Sequence, residues 1–272
     1  MIEGRVCVVT GAARGLGRAI ATALGAGGGR LALCDVLTDA LELTAAELRA
    51  AGHDVFAAYC DVSDSAGVDA FFAEVEQVLG PVEVLVNNAA LVPGGAEDEA
   101  RRSRHYAYLT TPEPRASLGF TSAMSDDDWL KFWNVNVHGV FFCTRAALRQ
   151  MEPRRFGRIV NIASIAGLSA LSAHSPHYSA TKGAVIAFTR SVAAEVAGAN
   201  IYVNAIAPGG VATPMFDDYL ARLDPAARGR LFQMIPAGRL GTMEEYAGLA
   251  AYLAGDGHYL VGQVISPNGG ML

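Results

Sequence analysis

Lysine is almost missing from this chain: of its 21 basic side chains 19 are arginine, and the two lysines are Lys131 and Lys182. A long apolar run is missing as well. No stretch reaches the ~18–20 residues needed to cross a bilayer, so no membrane partner is expected. The opening residues, "MIEGRVCVVTG", have no basic segment leading into an apolar one. No secretory signal is expected from them, and the expected location is cytoplasmic. Cysteine is sparse. Cys7, Cys34, Cys60 and Cys143 lie far apart without metal-ligand spacing. They read as reduced, buried thiols, and no metal site is expected. Positive charge is not in excess: the net charge of -6 gives no reason to expect nucleic acid or an anionic membrane surface as a partner. Internal repeats, low-complexity tracts and linkers are absent too, which favours one domain over residues 1–272.

What is present is alternation. Seven short apolar runs read as strands, at 5–10, 30–35, 55–61, 82–88, 158–164, 201–208 and 262–266. They are continuously apolar rather than alternating, which suits strands covered on both faces. Between them lie amphipathic stretches of helical period. "TDALELTAAELRAAG" opens on a Thr-Asp pair that could cap it, and "SDSAGVDAFFAEVEQVLG" has Ser63 or Ser65 before it and Gly80 after it. "SDDDWLKFWNVNVHGVFFCTRAALRQM" is long enough for one helix of six or seven turns. Strand–helix alternation of this kind predicts an α/β protein with a parallel, doubly wound sheet. Residues 93–122 break the pattern, being polar, proline-bearing and without clear period.

The first strand runs into "TGAARGLGRAIATALG", with glycines at 11, 15 and 17. Gly11 permits a tight turn, Gly15 lets a pyrophosphate approach the backbone, and Gly17 lets the following helix pack close to the strand. The helix N-terminus then offers free N–H groups and its positive end to the phosphates. Asp35 ends the second strand, 18 residues after Gly17. A carboxylate there can accept hydrogen bonds from the adenosine ribose and would repel a 2′-phosphate, so NAD is expected over NADP. Arg14, inside the glycine turn, points the other way, because a cation there can reach a 2′-phosphate.

Tyr178 and Lys182 stand four residues apart in "PHYSATKGAVIAF" and share one face of a helix. A free tyrosine has a pKa near ~10, too high for a base at neutral pH. A fixed ammonium beside it favours the phenolate. The pair can then move a proton to or from an alcohol oxygen. Arginine would be a poor substitute, because its rigid fork is not a compact charge able to hold both ribose hydroxyls and the phenolate.

Together these residues resemble the classical short-chain dehydrogenase/reductase family. Its Thr-Gly-x-x-x-Gly-x-Gly pattern stands as Thr10, Gly11, Gly15 and Gly17, and its Asn-Asn-Ala-Gly as residues 87–90, with Ala90 in place of the glycine. The Tyr-x-x-x-Lys pair is Tyr178 and Lys182. A Pro-Gly after the sixth strand is Pro208 and Gly209, with Thr213 behind it. The resemblance covers nearly the whole chain except residues 93–122. It implies a Rossmann-type fold, a seven-stranded parallel sheet between two helical layers. It implies a catalytic set of Asn136, Ser164, Tyr178 and Lys182. Ser164 would steady the substrate oxygen, and Asn136 would support a water linking Lys182 to solvent. The implied cofactor contacts are Gly11, Arg14, Gly15, Leu16, Gly17, Asp35, Val36, Asp61, Val62, Asn88, Ala89, Ala90, Tyr178, Lys182, Pro208, Gly209, Val211 and Thr213. Asp61 and Val62 would flank the adenine, and Asn88 to Ala90 the ribose side.

The activity implied is NAD-dependent hydride transfer between a nicotinamide and a secondary alcohol or ketone. An NADPH-dependent 3-oxoacyl reductase is the alternative, and a non-catalytic NAD(H) sensor a third reading that the intact catalytic set disfavours. A small alcohol or ketone is the expected partner, with assembly into a tetramer or dimer through the long helices carrying Asn136 and Tyr178. His174 and His177 read as substrate-facing or exposed. The insertion at 93–122 reads either as a solvated loop or as a lid over the substrate pocket.

Overall fold

The computed structural model describes residues 2–110, 116–223 and 225–272. Residues 111–115 of the polar insertion thus lie outside the described residues. Seven strands form one parallel sheet: β1 (Val6–Thr10), β2 (Arg30–Asp35), β3 (Val55–Tyr59), β4 (Val84–Asn87), β5 (Gly157–Ile162), β6 (Ile201–Ile206) and β7 (Val264–Ile265). Their order is β3-β2-β1-β4-β5-β6-β7. β1, β4 and β5 are buried along their whole length, as their continuous apolar sequence requires. β3 stands at the edge and is only half-buried.

Helices α1 (Gly15–Ala26), α2 (Thr38–Ala50) and α10 (Met243–Ala254) cover one face, where Ile20, Leu24, Leu41 and Ala250 join the sheet residues in one core. Helices α3 (Ser65–Leu79), α6 (Val140–Met151) and α7 (Pro176–Val196) cover the other with Phe71, Phe72, Met151 and Val192. The remaining helices are α4 (Ala96–Thr110), α5 (Asp126–Trp133), α8 (Pro214–Arg222) and α9 (Pro225–Gln233). The Rossmann-type architecture read from the sequence is the one observed.

The departures are local. α3 is capped by Asp64, whose carboxylate accepts from Ala66 N at 3.1 Å, rather than by a serine. α2 has no side-chain cap, and its Thr38 is already helical. The long helix over 125–151 is interrupted, because residues Asn134–Gly139 form a π-helical turn between α5 and α6. Residues 96–110, half of the 93–122 stretch read as loop, form the helix α4. The third, fifth and sixth strands end two residues before their apolar runs do. The residues that leave the ladder there, Cys60 and Asp61, Ala163 and Ser164, Ala207 and Pro208, turn into the loops at the carboxyl end of the sheet.

Candidate active site

The strand order reverses between β1 and β4, and the crevice of an open α/β sheet opens at such a point, beyond the strand ends. The glycine turn fills one side of it. Gly11 has φ +66, and a Cβ there would come 2.7 Å from Ala89 Cα. A Cβ on Gly17 would overlap Gly11 O and approach Asn88 Nδ2 to 2.5 Å. Asn88 holds the turn to β4, its Nδ2 donating to Thr10 O and Gly11 O, both at 3.0 Å. Ala89 N donates to Thr10 Oγ1 at 3.0 Å. Gly15, at φ +57, faces open space instead. α1 has no side-chain cap and no acidic residue in its first turn. Its leading N–H groups are therefore left for an anion, as a pyrophosphate requires, and the residues present fit a dinucleotide.

On the other side of the crevice stand the groups for proton transfer. Ser164 follows β5, with its Oγ accepting from Ala166 N at 3.1 Å. Its hydroxyl also hydrogen-bonds the Tyr178 phenol. Tyr178 and Lys182 lie on the same face of α7. Lys182 is buried, and its Nζ donates to Ile162 O at 2.8 Å. Burial pulls the Lys182 ammonium down to about 8. Relative to its ordinary value this disfavours the charge by about 3 kcal/mol. The Ile162 carbonyl therefore offsets desolvation only in part.

The phenol of Tyr178 departs from the sequence expectation. Burial raises its pKa, and the Ser164 hydrogen bond lowers it by less. The ammonium expected to favour the phenolate lies 5.7 Å from the ring centroid, turned to Ile162 O. The proton therefore rests on the tyrosine, so the phenol is in the form that a proton donor needs before the reaction.

Asn136 sits in the π-helical turn, fully buried. Its Oδ1 accepts from Leu91 N at 2.7 Å, and its Nδ2 donates to Leu91 O at 3.0 Å and to Thr181 Oγ1 at 3.2 Å. It thus ties the loop after β4 to α7 one residue before Lys182. π-helical turns are rare and recur at functional sites, because the extra residue re-aims a side chain. Further down, Asn87 Nδ2 donates to Thr144 Oγ1 (3.1 Å) and Asn161 Oδ1 (2.8 Å), and Asn161 Nδ2 to Thr189 Oγ1 (2.9 Å). This buried polar chain locks β4, β5, α6 and α7 together. Asn161 and Thr189 carry no motif, which is why sequence reasoning passes over them.

One cleft of about 360 Å³ joins the two sides. Leu16, Asn88, Ala90, Ser164, Tyr178 and Lys182 line it, and so do Pro208, Gly209, Val211 and Thr213. Thr213 also caps α8 by accepting from Phe216 N at 3.3 Å. Asp61 and Val62 lie elsewhere, after β3. The Asp61 carboxylate accepts from Ser63 N and Oγ at 2.9 and 2.7 Å, and Val62 is buried in the core. Val36 is exposed just beyond β2. The far end of the cleft is apolar, with Val92, Leu171, Phe216, Leu231, Met234 and Ile235. α4 contributes Arg102 and Tyr106 to its wall. His174 lines the cleft as well, but it is buried, as is His177, so neither is exposed as the sequence allowed.

A doubly wound parallel sheet, with a dinucleotide turn at its switch point and a Ser-Tyr-Lys group across the crevice, defines an NAD(P)(H)-dependent oxidoreductase acting on small carbonyl or alcohol substrates. The chain belongs to the short chain dehydrogenase family, whose sequence model matches residues 5–223. It is 35% identical to a 3-oxoacyl-[acyl-carrier-protein] reductase of Pseudomonas aeruginosa, over 99% of this chain and 98% of that protein. Among solved structures it resembles an actinorhodin polyketide ketoreductase determined with NADPH (TM-score 0.84, 34% identity, 100% of this chain and 99% of that one). It also resembles a gluconate 5-dehydrogenase from Burkholderia cenocepacia in complex with NADP and tartrate (TM-score 0.81, 31% identity, 99% and 95%).

These relatives overturn the expectation of NAD. The nucleotides held by the two structures are NADPH and NADP. The carboxylate of Asp35, on which that expectation rested, has a structural task in this fold. Its Oδ2 accepts from Ala13 N at 3.0 Å and its Oδ1 from Leu37 N at 3.1 Å, so the carboxylate stitches the glycine turn to the chain after β2. Arg14, by contrast, is exposed at the start of α1.

Proposed function

We propose that the protein is an NADPH-dependent reductase of 3-oxoacyl substrates. The observation that carries this reading is the cleft itself: Ser164, Tyr178 and Lys182 meet at one end, and an apolar wall suited to an acyl chain forms the other. The full-length similarity to a 3-oxoacyl reductase supports it. Gly11, Gly15, Leu16 and Gly17 would hold the pyrophosphate, Asn88 to Ala90 the ribose side, and Arg14 the 2′-phosphate. When bound, the nicotinamide supplies the hydride.

The chain's own residues handle the proton. Ser164 Oγ–H donates to the ketone oxygen and steadies the charge that develops on it. Tyr178 gives its phenolic proton to that oxygen, and burial keeps the phenol protonated until then. Lys182, drawn down to about 8, can pass a proton on to the tyrosine near neutral pH. Asn136 fixes the helix that carries both.

The test follows NADPH and NADH oxidation with acetoacetyl-N-acetylcysteamine, a small 3-oxoacyl thioester. Turnover with NADPH at least ~10-fold above NADH is expected, and Arg14→Ala should remove most of that preference by deleting one charge contact. A wild-type enzyme that ignores the thioester would sink the substrate reading. A preference for NADH would sink the role of Arg14.

A further inference from the structure

The inserted helix α4 meets the site through a pair of imidazoles. His105, on α4, and His174, just before α7, are both buried, with ring centroids 5.5 Å apart and Nδ1 atoms 3.3 Å apart. Tyr106 of α4 stands edge-on to His174 at 6.1 Å. An Nδ1–Nδ1 hydrogen bond needs one ring to donate and the other to accept. The accepting ring must therefore be neutral, and the protonation of the two rings is coupled. Burial favours the neutral state in each.

The two neutral rings can share this bond in two ways, and the one that leaves His174 a donor for a ligand puts the Nδ1 proton on His105. With His174 in that form its Nδ1 lone pair accepts from His105 Nδ1–H, and its remaining polar atom, Nε2–H, is a donor. His174 lines the cleft four residues before Tyr178, in a wall that also holds Arg102, Tyr106, Ser172 and Ser175. A substrate that places a second acceptor beside the reacting ketone would meet it there.

We infer that His174 is a specificity-determining residue that donates through Nε2–H to the second carbonyl of a 1,3-dicarbonyl substrate, and that His105 of the inserted helix is the positioning residue that fixes its tautomer. This rests on the 3-oxoacyl reading and sharpens it, since the thioester carbonyl is that second acceptor. It also gives α4 a task that a solvated insertion would not have.

The experiment reads one ratio, kcat/KM for acetoacetyl-N-acetylcysteamine divided by kcat/KM for 2-octanone, a ketone with no second carbonyl. His174→Leu should lower the ratio about tenfold, the worth of one neutral hydrogen bond. His174→Gln, which keeps an amide donor, should restore it to within about threefold of wild type by the same reckoning. His105→Leu should lower it in the same direction, and His105→Gln should recover it. Should His174→Leu fail to fold, the His105 pair reads the same ratio.

A loss shared equally by both ketones marks a structural role and overturns the inference, as does a ratio that His174→Leu leaves unchanged. Efficient thioester reduction with a ratio indifferent to His174 would leave the 3-oxoacyl reading standing without this residue. If the wild type ignores the thioester but prefers 2,4-pentanedione to 2-octanone in a His174-dependent way, the substrate reading falls and the role of His174 stands.

Discussion

The two ends of the cleft are built on different terms. The nucleotide end is backbone packed on backbone: Gly11 and Gly17 touch the β4 loop closely, and Asn88 ties the turn down through two carbonyls. Little there depends on which apolar side chain lies behind it. The substrate end is side chain on side chain. Leu220, Leu231, Ile235 and Leu240 form a small core of their own between α8, α9 and the following loop, and Tyr106 of α4 packs against it. An Arg222–Glu99 ion pair at 2.7 Å ties α8 to α4. Where the ligand is a shared cofactor, geometry is imposed by glycine and main chain. Where the ligand is particular to the enzyme, the wall is assembled from side chains packed on one another.

The junction of the two ends is where a single change should cost most. Tyr178→Phe keeps the ring, its place near Phe132 and the fold, but removes the proton donor. A fall in kcat of about 10²–10⁴ is expected, the usual worth of a positioned acid. NADPH affinity, measured by fluorescence titration, should stay within about threefold, because one neutral hydrogen bond is the most it can lose. Retention of a tenth of wild-type kcat would remove Tyr178 from the proton path.

The same contrast explains what is legible in the sequence. Thr10 to Gly17, Asn88, Ser164, Tyr178 and Lys182 can be read from it, since each has a residue type that its geometry demands. α4 escapes because its inward stripe is polar. Asp98, Arg101, Arg102 and His105 occupy the helical positions that face the protein, with Asp98 accepting from Gly94 N at 2.6 Å and paired to Arg101. Hydrophobic periodicity cannot see such a stripe. The acidic run Glu97–Asp98–Glu99 after two glycines is a readable helix start, and it lies in the first turn of α4. Asp35 misleads for the opposite reason: its residue type fits a ribose, while its carboxylate serves the backbone of its own fold. The π-helical turn at Asn136 leaves no mark in composition at all.

Two glycines test how rigid the two ends are. Gly17→Ala forces a Cβ into Gly11 O and toward Asn88 Nδ2, so the main chain of the turn must move. Overpacking of this kind costs roughly 1–3 kcal/mol. NADPH affinity should fall by about tenfold or more, in proportion to that strain. Gly94→Ala, at the start of the substrate wall, meets nothing closer than Val92 O at 3.9 Å and keeps its N–H to Asp98. Its unfolding free energy should change by no more than about 0.5 kcal/mol in urea titration. Equal tolerance at both positions would erase the distinction between the two ends.

A further difference is acid sensitivity confined to the substrate end. Burial, with Arg102 and His105 beside it, pulls His174 down to about 4, and burial also lowers His105. Arg101 adds to the lowering at His174 and Asp98 opposes it. His177 on α7, facing Asp128 of α5 as well as Asp98 and Arg101, is lowered too. A folded pKa below the unfolded one means that the unfolded chain binds more protons across the interval. Stability is therefore full above about 6.5 and declines as pH falls toward 4. A tenfold change in proton affinity is worth about 1.4 kcal/mol, so His174 alone should cost on the order of 2–3 kcal/mol by the bottom of that window. No such lowering acts on the glycine turn, which holds no histidine. Hydrogen exchange at pH 7 and pH 5 should then show amides of α4 losing protection, after correction for intrinsic rates, while those of α1 keep theirs. His105→Phe should weaken that pH dependence by removing one of the three lowered imidazoles. Parallel loss in α1 and α4 would instead mean that the whole molecule opens together, and that the imidazole pair does not hold the inserted helix in place.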